Sequence, residues 1–157
     1  MSDRDPAPGP LDQAVHDLLV DALRPYGAAA EVSLHLIPGS RLWVSAITPH
    51  RTSAAPLSVG IESPSDATGA DVAFTITVAH TWLEVDGLDE PMTWLRQLAQ
   101  AVYAGQLQET GFTSASAVRI HTVAGLVEGG AWQLPLVRRW LPRRRFTTYA
   151  PASPPLR

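Results

Sequence analysis

Hydrophobic residues near the start of the chain recur with the spacing of an α-helix. Between Pro10 and Leu23, apolar side chains fill one arc of a helical projection, while Asp17 and Asp21 lie on the opposite arc. Pro25 then ends the pattern, because its ring cannot continue a helix. The spacing predicts an amphipathic helix from about Pro10 to Leu23.

Alternating apolar and polar residues predict a β-hairpin after this helix. Its two strands flank a glycine-containing loop at residues 38–40, which is a common hairpin connection. In the register that suits this loop, Leu34 lies opposite Val44 in the core. The same register sets His35 opposite Trp43 on the other face, because successive residues of a strand point to opposite faces.

Three more stretches of alternation lie near residues 57–61, 72–78 and 81–86. The first two predict strands, and the last predicts a fifth strand or a bulged continuation of the fourth. In the last of them Leu83 is expected to point inward, with Trp82 and Glu84 outward. Asp89, Glu90 and Pro91 predict the start of a second helix, since they supply a capping side chain, a first-turn carboxylate and an early proline. The remaining pattern predicts a strand at 115–123, a glycine-rich turn at 125–130 and an edge strand at 146–149.

These elements together predict an α+β fold. We expect a two-layer sandwich in which a mostly antiparallel sheet of about five to seven strands carries two main helices on one face. A short C-terminal helical segment is expected between Pro135 and Pro142. Residues 1–9 are expected to form a flexible leader, 10–150 a single domain and 151–157 a flexible tail.

The amino-acid composition limits the kinds of site that the protein can contain. Cysteine is absent from the 157 residues, which excludes disulfides, thiolate nucleophiles and cysteine-based metal sites. The first residues are polar and acidic, without the basic start and apolar stretch of a signal peptide. No apolar run approaches the roughly 20 residues that cross a bilayer. The sequence predicts a soluble cytoplasmic protein without a membrane partner.

Sequence motifs of catalysis are missing. The chain has no glycine-rich nucleotide loop and no Gly-x-Ser-x-Gly nucleophile elbow. Its five histidines lack the paired spacing of metal-binding helices. We therefore expect no cofactor and no metal site, and the interpretation favours a non-catalytic protein over an enzyme. A catalytic or metal-binding pair of His35 and His121 is the alternative.

The sheet face away from the helices is the first candidate binding surface. Large amphipathic side chains are expected there among small residues, and tryptophan and arginine are enriched at binding hot spots. The predicted set is His35, Trp43, Trp82, Glu84, Arg119 and His121. The competing interpretation is that the C-terminal part of the chain covers this face.

An arginine cluster is the second candidate surface, formed by Arg138, Arg139, Arg143, Arg144 and Arg145. Residues 138–157 hold six arginines and no carboxylate, whereas all fifteen carboxylates precede them. Guanidinium groups suit phosphates and carboxylates. Nucleic acid and a membrane surface are less favoured partners, because no basic stripe extends the cluster and its helical segment is short. An acidic surface, of this protein or of a partner, is favoured.

The leading hypothesis from sequence is a non-catalytic module that binds another protein, as an immunity protein or a secretion chaperone does. Asp86, Asp89 and Glu90 would present an acidic surface to a basic partner. The alternative is a small-molecule-binding protein or an enzyme that uses the open sheet face.

Overall fold

A computed structural model describes residues 7–64, 66–110, 116–130 and 147–152 of the chain. Two helices, α1 (Pro10–Leu23) and α2 (Pro91–Tyr103), lie among them. The strands are β1 (Ala30–Leu36), β2 (Trp43–Pro49), β3 (Leu57–Ile61), β4 (Phe74–Val78), β5 (Thr81–Val85), β6 (Leu107–Thr110), β7 (Ala117–Thr122), β8 (Gly125–Gly130) and β9 (Thr147–Thr148). Both predicted helices are confirmed.

Each helix begins where a proline follows a residue in extended or irregular conformation. In α1, the backbone N–H of Gly9 donates to Oδ2 of Asp12 at 2.8 Å, which satisfies a group that the helix itself leaves free. In α2 the residue before the helix is Glu90 rather than Asp89, and its side chain makes no capping hydrogen bond. Pro91 occupies the first helical position, where its missing N–H costs nothing.

The first sheet is an antiparallel meander of five strands in the order β1-β2-β3-β4-β5. Helix α1 packs on one face, against β1, β2 and β3. Aliphatic and aromatic side chains of both layers are buried there, including Leu19, Val59, Phe74, Ile76 and Val78. Burial of this apolar surface is the main stabilising contribution to such a layer pair.

The second sheet has the order β8-β7-β6-β9 and is also antiparallel. Helix α2 packs against β7 and against α1. The predicted single sheet with both helices on one face is therefore wrong: the chain is α+β, but its strands form two separate sheets. The reason is local, because α2 interrupts the meander after β5 and the following strands pair among themselves.

Two further expectations change with this topology. Residues 125–130 form strand β8 rather than a turn, and β6 has no counterpart among the predicted strands. The edge strand expected at 146–149 is present as β9, paired with β6. The helical segment expected between Pro135 and Pro142 lies outside the described residues.

The register of the first hairpin differs by one residue from the prediction. His35 lies opposite Val44, and Leu36 opposite Trp43. The loop is longer than expected, since Ile37 N–H donates to the Leu42 carbonyl at 2.9 Å across four intervening residues. A shift of one residue exchanges the two faces of a strand. Trp43 therefore faces α1, and Val44 faces away from it.

The two sheets contact each other through β5 and β8. Gly129 is buried in β8, and a Cβ atom at this position would lie 1.7 Å from Cδ2 of Leu83 in β5. Leu83 thus occupies the volume that a side chain at 129 would need. Close packing between the sheets therefore requires a glycine at position 129 of this strand.

Residues 149–152 tie the second sheet to distant parts of the molecule. The N–H of Ala150 donates to the Ser53 carbonyl at 2.8 Å, and that of Ala152 to the Tyr103 carbonyl at 2.7 Å. The chain here passes directly over Gly105, where a Cβ atom would lie 2.7 Å from the carbonyl oxygen of Tyr149. The predicted division of the chain into leader, domain and tail stays a prediction. Within the described ranges, neither helix combines the length and apolar character needed to cross a membrane.

Candidate functional site

The face of the first sheet that points away from α1, here called the open face, carries a mixed set of side chains. Its central residues are small and its margins are larger, as fixed by the strand pairings. The members are Glu31, Ser33, His35, Ile37, Leu42, Val44, Ala46, Thr48, Ser58, Gly60, Thr75, Thr77, Trp82 and Glu84.

An aliphatic stripe runs along the β1–β2 side of the open face, formed by Ile37, Leu42, Val44 and Ala46. These residues are only partly buried and do not belong to the core. The stripe borders a groove of about 370 Å³ over Gly60 and its small neighbours. A Cβ atom at Gly60 would approach the Leu42 side chain to 3.3 Å, so the absence of a side chain there allows Leu42 to lie across the sheet.

Larger polar and aromatic side chains lie at the margins of the open face. His35 is exposed on β1 and lines the β1 side of the groove. On the opposite margin, Trp82 is 56% exposed and pairs with Thr77, while Glu84 is exposed and pairs with Thr75. Three of the six residues predicted for this face, His35, Trp82 and Glu84, are therefore on it.

The other three predicted residues lie elsewhere. Trp43 faces α1, and its ring N–H is buried without a hydrogen-bond partner among the described residues. Arg119 and His121 belong to β7 of the second sheet, so they do not share a surface with His35 on the first. Nε of Arg119 donates to Glu128 on the neighbouring strand at 2.9 Å, and His121 is exposed opposite Leu126.

The acidic residues predicted as a partner surface are exposed. Asp86, Asp89 and Glu90 follow β5 and lead into α2, so they continue from the margin that carries Glu84. The arginines 138, 139, 143, 144 and 145 lie outside the described residues. Their expected pairing with an acidic surface therefore stays a prediction.

A buried carboxylate, which the sequence did not single out, joins the two sheets. Glu109 on β6 is 6% exposed and accepts hydrogen bonds from the Thr81 hydroxyl at 2.7 Å and the Tyr149 hydroxyl at 2.8 Å. The His80 backbone N–H donates to it at 2.9 Å, and Nδ1 of the same residue lies 3.1 Å from its other oxygen. We call these four residues the Glu109 cluster.

The hydrogen bonds of the cluster set its ionisation. Burial raises the pKa of Glu109, but hydrogen bonds from Thr81, Tyr149 and His80 outweigh it and hold that pKa below its ordinary value of 4.5. Burial, together with the hydrogen bond and charge of Glu109, raises the pKa of Tyr149 above its ordinary value of 10.0. Glu109 is therefore a carboxylate and Tyr149 a phenol near neutral pH.

The Glu109 cluster also fixes the turn between β4 and β5. Ala79 in this turn has φ of +53°, a left-handed conformation that is unusual for a residue with a side chain. The next residue, His80, donates its N–H to Glu109 and accepts the Ser116 hydroxyl at its carbonyl, at 3.2 Å. The second sheet thus binds the backbone of the turn on both sides, which offsets the strain at Ala79.

The geometry of the Glu109 cluster is suited to holding the two sheets together. The imidazole of His80 is exposed and lies against a carboxylate, an arrangement that also serves in acid–base catalysis. However, the nearby Ser116 hydroxyl is directed to the His80 carbonyl and not to the ring. Across the described ranges, no group of three or more His, Asp or Glu side chains lies close enough to hold a metal ion.

Comparison with protein-family models, curated proteins and solved structures found no match to this chain.

Proposed function

We propose that this protein is a non-catalytic module that binds another protein through the open face of its first sheet. The observation that carries the proposal is the aliphatic stripe of Ile37, Leu42, Val44 and Ala46, which is outside the core and partly exposed. Contiguous exposed apolar surface bordered by polar residues is typical of interaction sites. The proposed role is of the kind that an immunity protein or a secretion chaperone performs.

The composition of the open face supports a protein partner. A sheet of small residues between an aliphatic stripe and Trp82 offers apolar contact area at its centre and an aromatic anchor at its margin. Protein interfaces are commonly built in this way, with polar groups around an apolar centre. Tryptophan is among the residues that contribute most to binding energy when a partner covers it.

Charge at the β5 margin favours a basic partner. Glu84 lies on the open face, and Asp86, Asp89 and Glu90 follow it into the connection to α2. Exposed carboxylates of this kind contribute less to affinity than to the rate of association and to orientation. We therefore expect the partner to carry Lys or Arg next to its apolar contact surface.

The test is affinity capture from lysates of the source cells, compared across variants by quantitative mass spectrometry. Trp82→Ala and Val44→Lys should each lose a protein that the wild type retains, because they remove the anchor or place a charge on the stripe. The matched control is Val123→Ala, an apolar residue 86% exposed at the β7–β8 turn. If every captured protein is retained equally by all four chains, the proposal is wrong.

Charge reversal then tests the acidic margin with the captured partner in purified form. Replacing Asp86, Asp89 and Glu90 by Arg should slow association and weaken its dependence on salt, while dissociation changes less. Asp66→Arg, an exposed acid in the β3–β4 connection, is the control. Equal association rates for both variants would exclude steering by this margin.

A small-molecule ligand is the second candidate function. The groove over Gly60 has a volume of about 370 Å³, which falls within the range of ligand pockets, and His35 supplies a titratable group at its border. Thermal unfolding in the presence of a metabolite library distinguishes the two functions. A stabilising compound whose effect is lost in His35→Ala and Val44→Lys would favour the ligand.

A further inference from the structure

We infer that the free edge of β1, with the groove beside α1, binds an extended basic segment of a partner protein by strand addition. This inference rests on the proposed function, because it specifies the form in which a partner protein is recognised. It concerns a different surface from the open face. The groove, here called the edge groove, has a volume of about 460 Å³ and is lined by Val20, Leu23, Arg24, Gly27, Ala30 and Val32.

The backbone of β1 offers hydrogen bonds at this edge. The ladder to β2 is flanked by bonds from the His50 N–H to the Ala29 carbonyl and from the Ile37 N–H to the Leu42 carbonyl, both at 2.9 Å. Bonded pairs alternate along an antiparallel ladder, so the odd-numbered residues of β1 face β2. The N–H and C=O groups of Val32 and the other even-numbered residues therefore point outward.

No described strand pairs with that outer edge. The seven residues of β1 provide a length that suits an added strand, and none of the even-numbered ones is charged. Protein edges are usually protected by charged side chains, proline or bulges. β1 contains neither proline nor a bulge, and its one acidic residue, Glu31, is odd-numbered and points to the open face. By contrast, β5 at the other edge of the sheet is contacted by β8 of the second sheet.

The edge groove provides a site for side chains of the added strand. Residues opposite Val32 would point to the same face as Val32, the face that carries α1, because paired residues share a face. There Val20 is 41% exposed, although its neighbours Leu19 and Leu23 are buried. An apolar side chain in the groove would cover Val20, and the adjacent residues of the segment would lie beside Glu31 and Ser33 on the open face.

Charge around the groove selects a basic occupant. Outside the lining of the groove, Asp17 and Asp21 are exposed on α1 next to Val20, and Glu31 is exposed on the opposite face of β1 at the same edge. Arg24 is the basic residue of the groove, and it forms an ion pair with Asp21. Lys or Arg in the added segment would complement the remaining carboxylates.

The same charges disfavour a second copy of this chain. Two β1 strands paired antiparallel would place their α1 helices on the same side of the joined sheet. The carboxylates of Asp17 and Asp21 on each helix would then approach those of the other copy, and like charges repel across an interface.

The test begins with a displayed library of random peptides of about ten residues, the upper range of strand lengths. Peptides selected on the full-length protein should carry apolar residues at alternate positions together with Lys or Arg. Hydrogen exchange of the complex with one synthetic selected peptide should show new protection at the amides of Val32 and Leu34. These amides point outward, so β2 does not protect them in the free protein.

Variants then identify the site. Val20→Lys should weaken the selected peptide at least about tenfold, or about 1.4 kcal/mol, because it places a cation in the groove and repels a basic segment. Val32→Pro, which removes one outward N–H, should weaken it as well. Val123→Lys, an exposed valine on the second sheet, is the matched control and should bind like the wild type. Thermal unfolding of each variant verifies that it is folded.

Three outcomes would overturn the inference. The first is a library that yields no binder, and the second is a binder that Val20→Lys retains without protection of β1. The third is a dimer of the protein alone in sedimentation, protected at Val32 and dissociated by Val20→Lys, since the edge would then bind a second copy. In each case the open-face proposal is judged separately, by the capture experiment with Trp82→Ala and Val44→Lys.

Discussion

Glu109 and Val44 both lie within strands of antiparallel sheets, yet their surroundings are opposite. Glu109 is a charged group in the interior, and hydrogen-bond donors from two other segments of the chain reach it. Val44 is an aliphatic residue that faces away from the core. A buried charge persists only when its partners are present in the fold, whereas an exposed apolar stripe has no such partners within the described residues.

This difference separates structural residues from candidate functional ones. The Glu109 cluster connects β6 to the β4–β5 turn and to Tyr149, which follows β9. The hydrogen bonds of Glu109 are therefore made within the molecule. The side chains of the open face and the outward backbone groups of β1 remain available for contact with another molecule. Stability experiments should therefore respond to the first region, and binding experiments to the second.

The largest effect on stability is expected for Glu109→Ala. The change leaves the donors of His80, Thr81 and Tyr149 without their acceptor in a buried site, and we expect a loss of about 3 kcal/mol in the free energy of unfolding. Urea denaturation measures this loss. Glu84→Ala on the open face is the control and should stay within about 0.5 kcal/mol of the wild type. Similar losses in both variants would contradict the contrast between the two regions.

A smaller loss is expected for Gly105→Ala. Gly105 has φ of +71°, and a Cβ atom would collide with the backbone of residues 149–151. We expect about 2 kcal/mol, from steric displacement together with backbone strain. Gly39→Ala is a matched control, since Gly39 has φ of +76° and no atom within 4 Å of a Cβ. Its loss of about 1 kcal/mol would represent backbone strain alone, and equal losses would show that residues 149–151 do not pack as described.

Acid should destabilise the protein through Glu109 in particular. Its pKa is lower in the folded than in the unfolded chain, so the carboxylate contributes stability above its unfolded pKa of about 4.5. That contribution is lost as the pH falls below this value and through the folded pKa. Glu109→Gln does not titrate, so its unfolding free energy should fall less than that of the wild type between pH 6 and about 3. Parallel pH profiles would contradict the assignment.

The smallest effect on stability is expected for Trp82→Ala. This side chain is more than half exposed, so its removal should change the free energy of unfolding by no more than about 0.5 kcal/mol. Loss of partner binding without loss of stability would identify the open face as functional surface. A loss above 2 kcal/mol would instead show that Trp82 is covered in the folded protein.

The first half of the fold could be predicted from sequence because its signals are local. The apolar arc of α1 and the alternation in β3, β4 and β5 arise within single elements, and the inward Leu83 with the outward Trp82 follows from period-two alternation. Helix α2 was also predictable, since Pro91 and the residues before it give a clear start.

The parts that could not be predicted depend on other segments. Leu42, just before β2, and Val44 within it match a core pattern but face outward, and Ser45 is buried, because one extra loop residue sets the register. From sequence alone, Gly129 indicates a turn. Its place within a strand is explained only by the packing of Leu83 from the other sheet against it. The partners of Glu109 are 28, 29 and 40 residues away along the chain, so no local pattern indicates its role.

The segment at 149–152 has a consequence for the order in which the protein can fold. Its hydrogen bonds to Arg51, Ser53, Tyr103 and Glu109 join it to residues made between 40 and 100 positions earlier in synthesis. The first sheet consists of sequential hairpins and can form as the chain emerges, since its contacts are local. The Glu109 carboxylate, however, receives its last donor only after Tyr149 has been synthesised. During synthesis on the ribosome, the hydrogen bonds of the Glu109 cluster between the two sheets are therefore completed last.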